Sequence, residues 1–527
     1  MKKILFISSL AVALAVSSCK KADFADSYTD PSKIAVSSVE KQFAGFVNSN
    51  LGYVMPGYWN YFVVQRITNN RYTQSVGWSN ATGQYIPGGG AVSDHWNAYY
   101  TFLSQYKELV KINKSLSAAD QAERRIFMIA ATIYFYDYTQ KMVDVHGDIP
   151  WSAAGMLSAN GGDYLASLPK YDKAQDIYTK MLDDLKAFST ELNTLTVPAA
   201  IQTAFNTQDF ILKGNKTHWA RYCNSLRLRM LTRVSGSAEL GARATSEIAA
   251  MVAAPATFPL VTSNAENVQI NVFSTSTPVA GSNFQGGLED WNGNLAGKAM
   301  IDHMNTNGDP RLPALFEPGT AAGTTYKGID QSASAQVTDA LILTNTVAMY
   351  NRSTTSRNLF FPGVLINAAE VSFHLAEAYL KAGDAANAKA AYNKGIDQST
   401  EYYYNIRKLS TNTTSPALVP YTAAQVTAYQ NAAGINWDLA TTTAAKQALI
   451  SNQRWIHYNV IQPFENFAEV RRTNLPALSF VADAATPNAT TVPARWMYPS
   501  SEGVYNKANY AAVSGNDNLT TKLFWDK

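Results

Sequence analysis

The sequence predicts an all-α fold of stacked helical hairpins of tetratricopeptide type with a large irregular, loop-rich portion, and three observations lead there. Apolar residues recur at i, i+3, i+4 and i+7, as at Ile126, Ile129, Ala130, Ile133 and Tyr134, or at Ala174, Ile177, Tyr178, Met181, Leu182 and Leu185. Residues 367–382 and 385–398 are two helical stretches of small residues and Tyr on either side of Gly383-Asp384, the pattern of one tetratricopeptide hairpin. Such hairpins bury a continuous face only by stacking, so several must pack together. Residues 69–94 and 282–297, in contrast, lose all period and turn to Asn, Gly, Ser and aromatics.

The first residues set the compartment. Lys2 and Lys3 precede an apolar run, 4–16, that closes on Val16-Ser17-Ser18-Cys19, which reads as a secretory leader over 1–18. The run is shorter than the roughly 20 residues needed to cross a bilayer, so a retained spanning helix is not expected. A cysteine at the cleavage point looks like a bacterial lipobox, with Val16 where Leu is commoner. Cys19 would then carry acyl chains, each buried methylene contributing about 0.8 kcal/mol, and residues 19–32 would form a polar tether ending at Asp30-Pro31.

Along the chain, residues 40–66 read as a helix that turns at Pro56-Gly57 and resumes. Residues 69–94 are a loop, and Tyr72, Trp78 and Tyr85 within it argue against disorder. Helices follow at 95–112, 118–145, 171–192, 217–234 and 239–252, the second stopped by Gly147 and Pro150. Residues 258–356 read as irregular, with a strand at 268–273 and an Asn and Gly loop around Trp291. Helical text returns at 367–398, 421–430, 443–458 and 459–475, and the tail from 487 is irregular.

Composition narrows the function. Charged residues are 16% of the chain against a usual ~25%, and removing the leader with Lys2 and Lys3 takes the net charge from +3 to +1. Near-neutrality gives no nucleic-acid footprint. Aromatics are abundant at 12%, which serves helix packing first. With Cys19 acylated only Cys223 remains, so no intramolecular disulfide can form and packing must hold the fold.

No zinc-protease, nucleophile-elbow, phosphate-loop or dinucleotide motif occurs; Gly236 and Gly241 have the phosphate-loop separation, but Ala242 stands where the lysine belongs. The histidines are scattered singly, and His146 beside Asp148 is either a ligand pair or a turn contact. Glu465 and Glu469 are an i, i+4 pair, which a glycosidase could use, but Arg471 and Arg472 beside them favour structural ion pairing. Arg221, Arg227, Arg229 and Arg233 on one helix suit either a solvated face or carboxylates of neighbouring helices.

Several segments together resemble the SusD/RagB family of outer-membrane nutrient-binding lipoproteins, nearest its starch-binding, outer-membrane-associated SusD-like members. They are VHGDIPWSAA at 145–154, THWARYCNSLRLRMLTRVS at 217–235, GDPRLPALF at 308–316 and AEVSFHLAEAYLKAGDAANAKAAYNKGI at 369–396. QRWIHYNVIQPFENFAEVRRTNLPAL at 453–478, PARWMYPSSEGVYNKANY at 493–510 and TKLFWDK at 521–527 complete the set. The resemblance implies a single α-helical domain over 33–527 with about four tetratricopeptide-like hairpins as scaffold; the missing catalytic constellation argues against an enzyme, and no cofactor or metal ligand is identified. The resemblance also implies a TonB-dependent SusC-like transporter as partner, with oligosaccharides or, in some members, peptides as cargo. Asp23 and Asp26 behind Cys19 loosely resemble the surface-export signal of Bacteroidetes lipoproteins, which favours outward display on the outer membrane.

Glycan binding needs flat aromatic faces for the C–H patches of a pyranose, flanked by amides and charged groups for its hydroxyls. The two loops supply these: Arg71, Tyr72, Trp78, Asn80, Tyr85 and Asp94 in one, and Asn283, Asp290, Trp291 and Asn292 in the other. The expectation is that they converge on one exposed face. The alternative for any one aromatic is a plug that pins its loop to the core.

Overall fold

The computed structural model describes residues 37–276 and 283–527; Cys19, the leader and the tether lie outside the described residues. The helices that build the scaffold are α1 (Val39–Ser49), α2 (Gly89–Lys114), α3 (Arg125–His146), α4 (Ala174–Thr194), α5 (Lys216–Val234), α6 (Ala368–Lys381), α7 (Ala385–Leu409), α8 (Thr443–Tyr458) and α9 (Pro463–Thr473). They pack as α1 on α2, α4 on α5, α6 on α7 and α8 on α9, with α3 against α2 and α5. Short antiparallel pairs, such as Val268–Ile270 with Gly363–Ile366, are the only sheet among the described residues. No described helix is long and apolar enough to cross a membrane.

The hairpin read from the sequence is α6–α7. Gly383 turns it with φ 79°, and the Asp384 carboxylate caps α7 by accepting from the Asn387 amide at 3.1 Å. Helix α7 runs on to Leu409, past the end read from the sequence. Tyr402, Tyr403 and Tyr404 are buried, and the core they fill outweighs their modest helix propensity. The helices Ala199–Gln208, Lys298–Asn307 and Ala335–Leu343 were not expected from their text. The last has a weak apolar period, and among its residues only Thr338 is buried.

The arginines of α5 resolve one alternative. Arg229 and Arg233 are fully buried and tie the scaffold together through carboxylates of other helices. Arg229 donates to Asp137 on α3 at 3.0 Å, to Glu370 on α6 at 2.5 Å and to the Leu365 carbonyl at 2.6 Å. Arg233 donates to Asp144 on α3 and Glu465 on α9 at 2.6 Å each, and to Glu469 at 3.1 Å. Arg454 and Arg472 join Glu469 to Glu377 on α6, Arg472 donating to both acids at 2.7 Å. Arg221 and Arg227 pair with Glu266 and Glu247.

These carboxylates couple stability to pH. Burial alone would raise Glu370, Glu377 and Glu469, but Arg229 at the first and Arg472 and Arg454 at the others outweigh it and hold all three below the usual carboxylate range. A carboxyl with a depressed folded pKa contributes stability that is fully present above its unfolded value, about 4.3 for Glu, and lost as pH falls through the folded value. Urea titrations should therefore show the contribution of these three acids unchanged from pH 7 to 5 and fading only below about pH 4. Glu370→Gln should flatten that acid limb, and an unaltered limb in this variant would refute the assignment.

Candidate functional site

The two aromatic loops do meet. The Gly77 amide donates to the Leu295 carbonyl at 2.7 Å, and a Cβ at Gly77 would lie 2.6 Å from the Ala296 carbonyl oxygen and 2.8 Å from Ile329 Cβ. Only glycine permits that approach. Beneath, the π-helix Trp59–Gln65 packs on the short helix Phe284–Glu289 of the second loop, with Tyr61 and Phe284 edge to face at 4.6 Å. Between the loops lies a cleft of about 330 Å³ whose wall includes Arg66, Arg71, Trp78, Trp291, Asn292 and Asp339.

Trp291 projects from this wall with 86% of its surface exposed. Its backbone is left-handed, φ 57° and ψ 36°, and Asn292 follows at φ 57°. A bulky residue in that region costs roughly 1–2 kcal/mol, so two unfavourable features, strain and an exposed indole, coincide at one residue.

Trp78 is buried along the opposite wall, where its indole N–H donates to Gln84 Oε1 at 2.9 Å. The Arg71 guanidinium lies 5.6 Å from its ring. Arg66 stacks on Phe62 at 3.8 Å and donates to the Asp290 carbonyl at 2.9 Å. Burial lowers both guanidinium pKa values, that of Arg71 to about 10, with the charge of Arg66 adding to the effect there.

Of the residues expected at the ligand face, Arg71, Trp78, Trp291 and Asn292 line the cleft. Tyr72, Tyr85 and Asn80 do not: they are buried and pin the first loop in place. The Tyr72 hydroxyl donates to the Tyr85 carbonyl at 3.0 Å, and the Tyr85 hydroxyl to the Val481 carbonyl at 2.6 Å. Asn80 Nδ2 donates to the Ala333 carbonyl at 2.7 Å.

Asp94 stands on α2, which begins at Gly89 and takes in the end of the segment read as loop; its carboxyl is raised by partial burial against a hydrogen bond from Trp59. Asn283, at φ 60°, precedes the helix Phe284–Glu289, and Asp290 meets the cleft through its carbonyl, which accepts from Arg66, and through the charge of its carboxylate on that arginine. Both side chains are exposed outside the wall.

Arg66 and Asp339 were not anticipated. Arg66 closes a segment whose apolar text reads as a helix end, and Asp339 sits on a helix in text read as irregular. A cation one turn past the aromatic run Tyr58, Trp59, Tyr61 and Phe62 is the signal that could have marked Arg66.

Other candidates are occupied from within. A larger hollow of about 670 Å³ lies by Pro310, Pro313, Phe316, Tyr326 and Tyr404, but its acids Asp309 and Glu317 are paired with Arg311 and Arg352. Glu465 and Glu469 are buried among Arg233, Arg454 and Arg472, which leaves neither free to act on a sugar. His146 is buried, its ring 6.1 Å from that of His95, while Asp148 accepts from the Ala174 amide at 2.8 Å as a turn contact. No group of His, Cys, Asp and Glu among the described residues could hold a metal ion.

None of the curated proteins compared with the chain matches it. Solved structures do. A chitin-binding protein superimposes with a TM-score of 0.72 at 23% identity, over 92% of this chain and 99% of its own. A SusD homologue from Bacteroides fragilis gives 0.69 at 21%, over 92% and 99%, and one from Parabacteroides distasonis 0.71 at 20%, over 93% and 98%. These likenesses establish the all-α fold. Residues 49–499 match the model of the SusD-like family described as starch-binding and associating with the outer membrane, and the chain belongs to that family.

Proposed function

We propose that the protein is a lipid-anchored, cell-surface binding protein that captures glycans in the cleft between its two aromatic loops and passes them to a TonB-dependent SusC-like outer-membrane transporter. The observation that carries the reading is Trp291, an open indole face held at a strained backbone beside Trp78 and polar groups. That is the equipment for stacking a pyranose and bonding its hydroxyls. Membership of a family associated with the outer membrane supports the location, and the leader with Cys19 supplies the anchor in this reading. Residues 19–32 serve as the tether and 33–527 as one binding domain.

A glycan and peptide array followed by affinity electrophoresis tests the reading. Retardation by a glycan with no released product is expected; binding confined to peptides, or cleavage of the retained glycan, would overturn it. For the anchor, wild-type protein should incorporate labelled palmitate and fractionate with the outer membrane, whereas Cys19→Ala should do neither. Unchanged membrane retention of Cys19→Ala would remove lipidation from the account.

A further inference from the structure

The cleft contains a guanidinium, that of Arg71, with no ion-pair partner among the described residues. Arg71 is partly buried, yet its side chain makes no hydrogen bond and no ion pair with any described residue, and its Nε is both buried and unpartnered. Its neighbour Arg66 has the Asp290 carbonyl and the face of Phe62; its Nε is likewise buried without a partner, and the Asp290 carboxylate acts on it only through space, without an ion pair. Most buried arginines elsewhere in the chain are ion-paired; Arg495 is the exception, donating to the Trp496 and Asn516 carbonyls. Arg227, Arg229, Arg233, Arg311, Arg454 and Arg472 each have a carboxylate within 3.0 Å. An unpaired charge withdrawn from water is unfavourable, and fork-shaped guanidiniums match carboxylate and sulfate oxygens two at a time. Arg66 and Arg71 are both partly buried and neither is ion-paired, an arrangement that an arriving anion would relieve.

We propose that the ligand of this cleft is an acidic glycan, whose carboxylate or sulfate ester is received by Arg71 and Arg66 while a neighbouring pyranose stacks on Trp291. The proposal rests on the cleft being the glycan site and adds the charge of the ligand. Asn292 and Ser79, also in the wall, are placed for neutral hydroxyls. Asp339 is the acid of the same wall; it is exposed, forms no ion pair with either arginine, and would repel a second anionic group, so the site takes one. The lowered guanidinium pKa values, driven by burial and at Arg71 also by the charge of Arg66, are what an arriving anion would reverse.

Calorimetric titration of the detergent-solubilised full chain provides the test. The probes are trigalacturonate with its methyl ester, and a sulfated galactan oligosaccharide with its desulfated form. At least one acidic probe is expected to bind about tenfold or more tightly than its neutral counterpart, the worth of a charge-assisted hydrogen bond. Which one does so tells carboxylate from sulfate. Arg71→Gln should abolish that preference, and Arg66→Gln should reduce it. Neither arginine has an ion-pair partner to lose, so both variants should fold as wild type by circular dichroism. Equal binding of acidic and neutral probes, a preference that survives Arg71→Gln, or no binding of either acidic probe would overturn the proposal. Trp291→Ala separates the two levels. If it weakens every bound probe while acid and ester bind alike, only the charge assignment fails; if it weakens none, the cleft is not the glycan site.

Discussion

Arg233→Met should lower the unfolding free energy by about 3–5 kcal/mol, the usual loss when one partner of a buried ion cluster is removed. The side chain is fully buried and holds Asp144, Glu465 and Glu469 from two different helices within 3.1 Å. Methionine fills a similar volume, so the loss measures stranded carboxylates more than a cavity. Glu469 keeps Arg454 and Arg472, and Asp144 keeps the Tyr178 hydroxyl at 2.5 Å, but Glu465 is left with Arg229 at 3.5 Å. Burial already raises the Asp144 carboxyl to about 6 against the charge of Arg233, so without that charge it should rise further and the variant should regain part of its lost stability as pH drops towards 5. Arg221→Met is the control: that arginine is partly exposed and pairs only with Glu266, so its loss should stay within about 1 kcal/mol. Urea unfolding of both variants decides; comparable losses would mean that the network is not what joins α3, α5 and α9.

The same network shows where sequence reading stops. Helical period placed α3, α4, α5 and the α6–α7 hairpin because their apolar stripes repeat within a few turns, and such signals are local. Whether Arg229 and Arg233 faced water or carboxylates was not local: Asp137, Glu370 and Glu465 lie far off in sequence. The site divides in the same way. Residue types marked both loops as places where aromatics and amides gather, and their convergence follows from Gly77 touching Leu295 across more than two hundred residues. Types could not tell Trp291, open to solvent, from Tyr85, fully buried, because each is an aromatic among glycines and asparagines. Asp94 was misplaced for another reason: Pro87 and Gly88 just ahead of α2, with Gly89 and Gly90 as its first residues, mask a helix start that packing enforces.

Trp291→Ala should weaken glycan binding by at least about tenfold, within the range of an aromatic hot spot, while leaving stability nearly unchanged. The indole is exposed, so its removal opens no cavity, and the left-handed backbone gains nothing from it. Trp291→Gly carries the argument further. Glycine adopts φ 57° without the side-chain penalty, so this variant should be as stable as wild type or up to about 1 kcal/mol more so, yet bind no better than Trp291→Ala. Opposite movements of stability and affinity at one residue are expected where strain is kept for function. Trp78→Ala gives the contrast: this ring is buried and bonded to Gln84, so its loss should lower affinity and stability together, the latter by about 3–5 kcal/mol. Thermal unfolding paired with titration of the array-identified glycan reads both quantities. If Trp291→Ala binds every such glycan as tightly as wild type, the exposed indole serves some other surface, and the cleft loses its claim to the ligand.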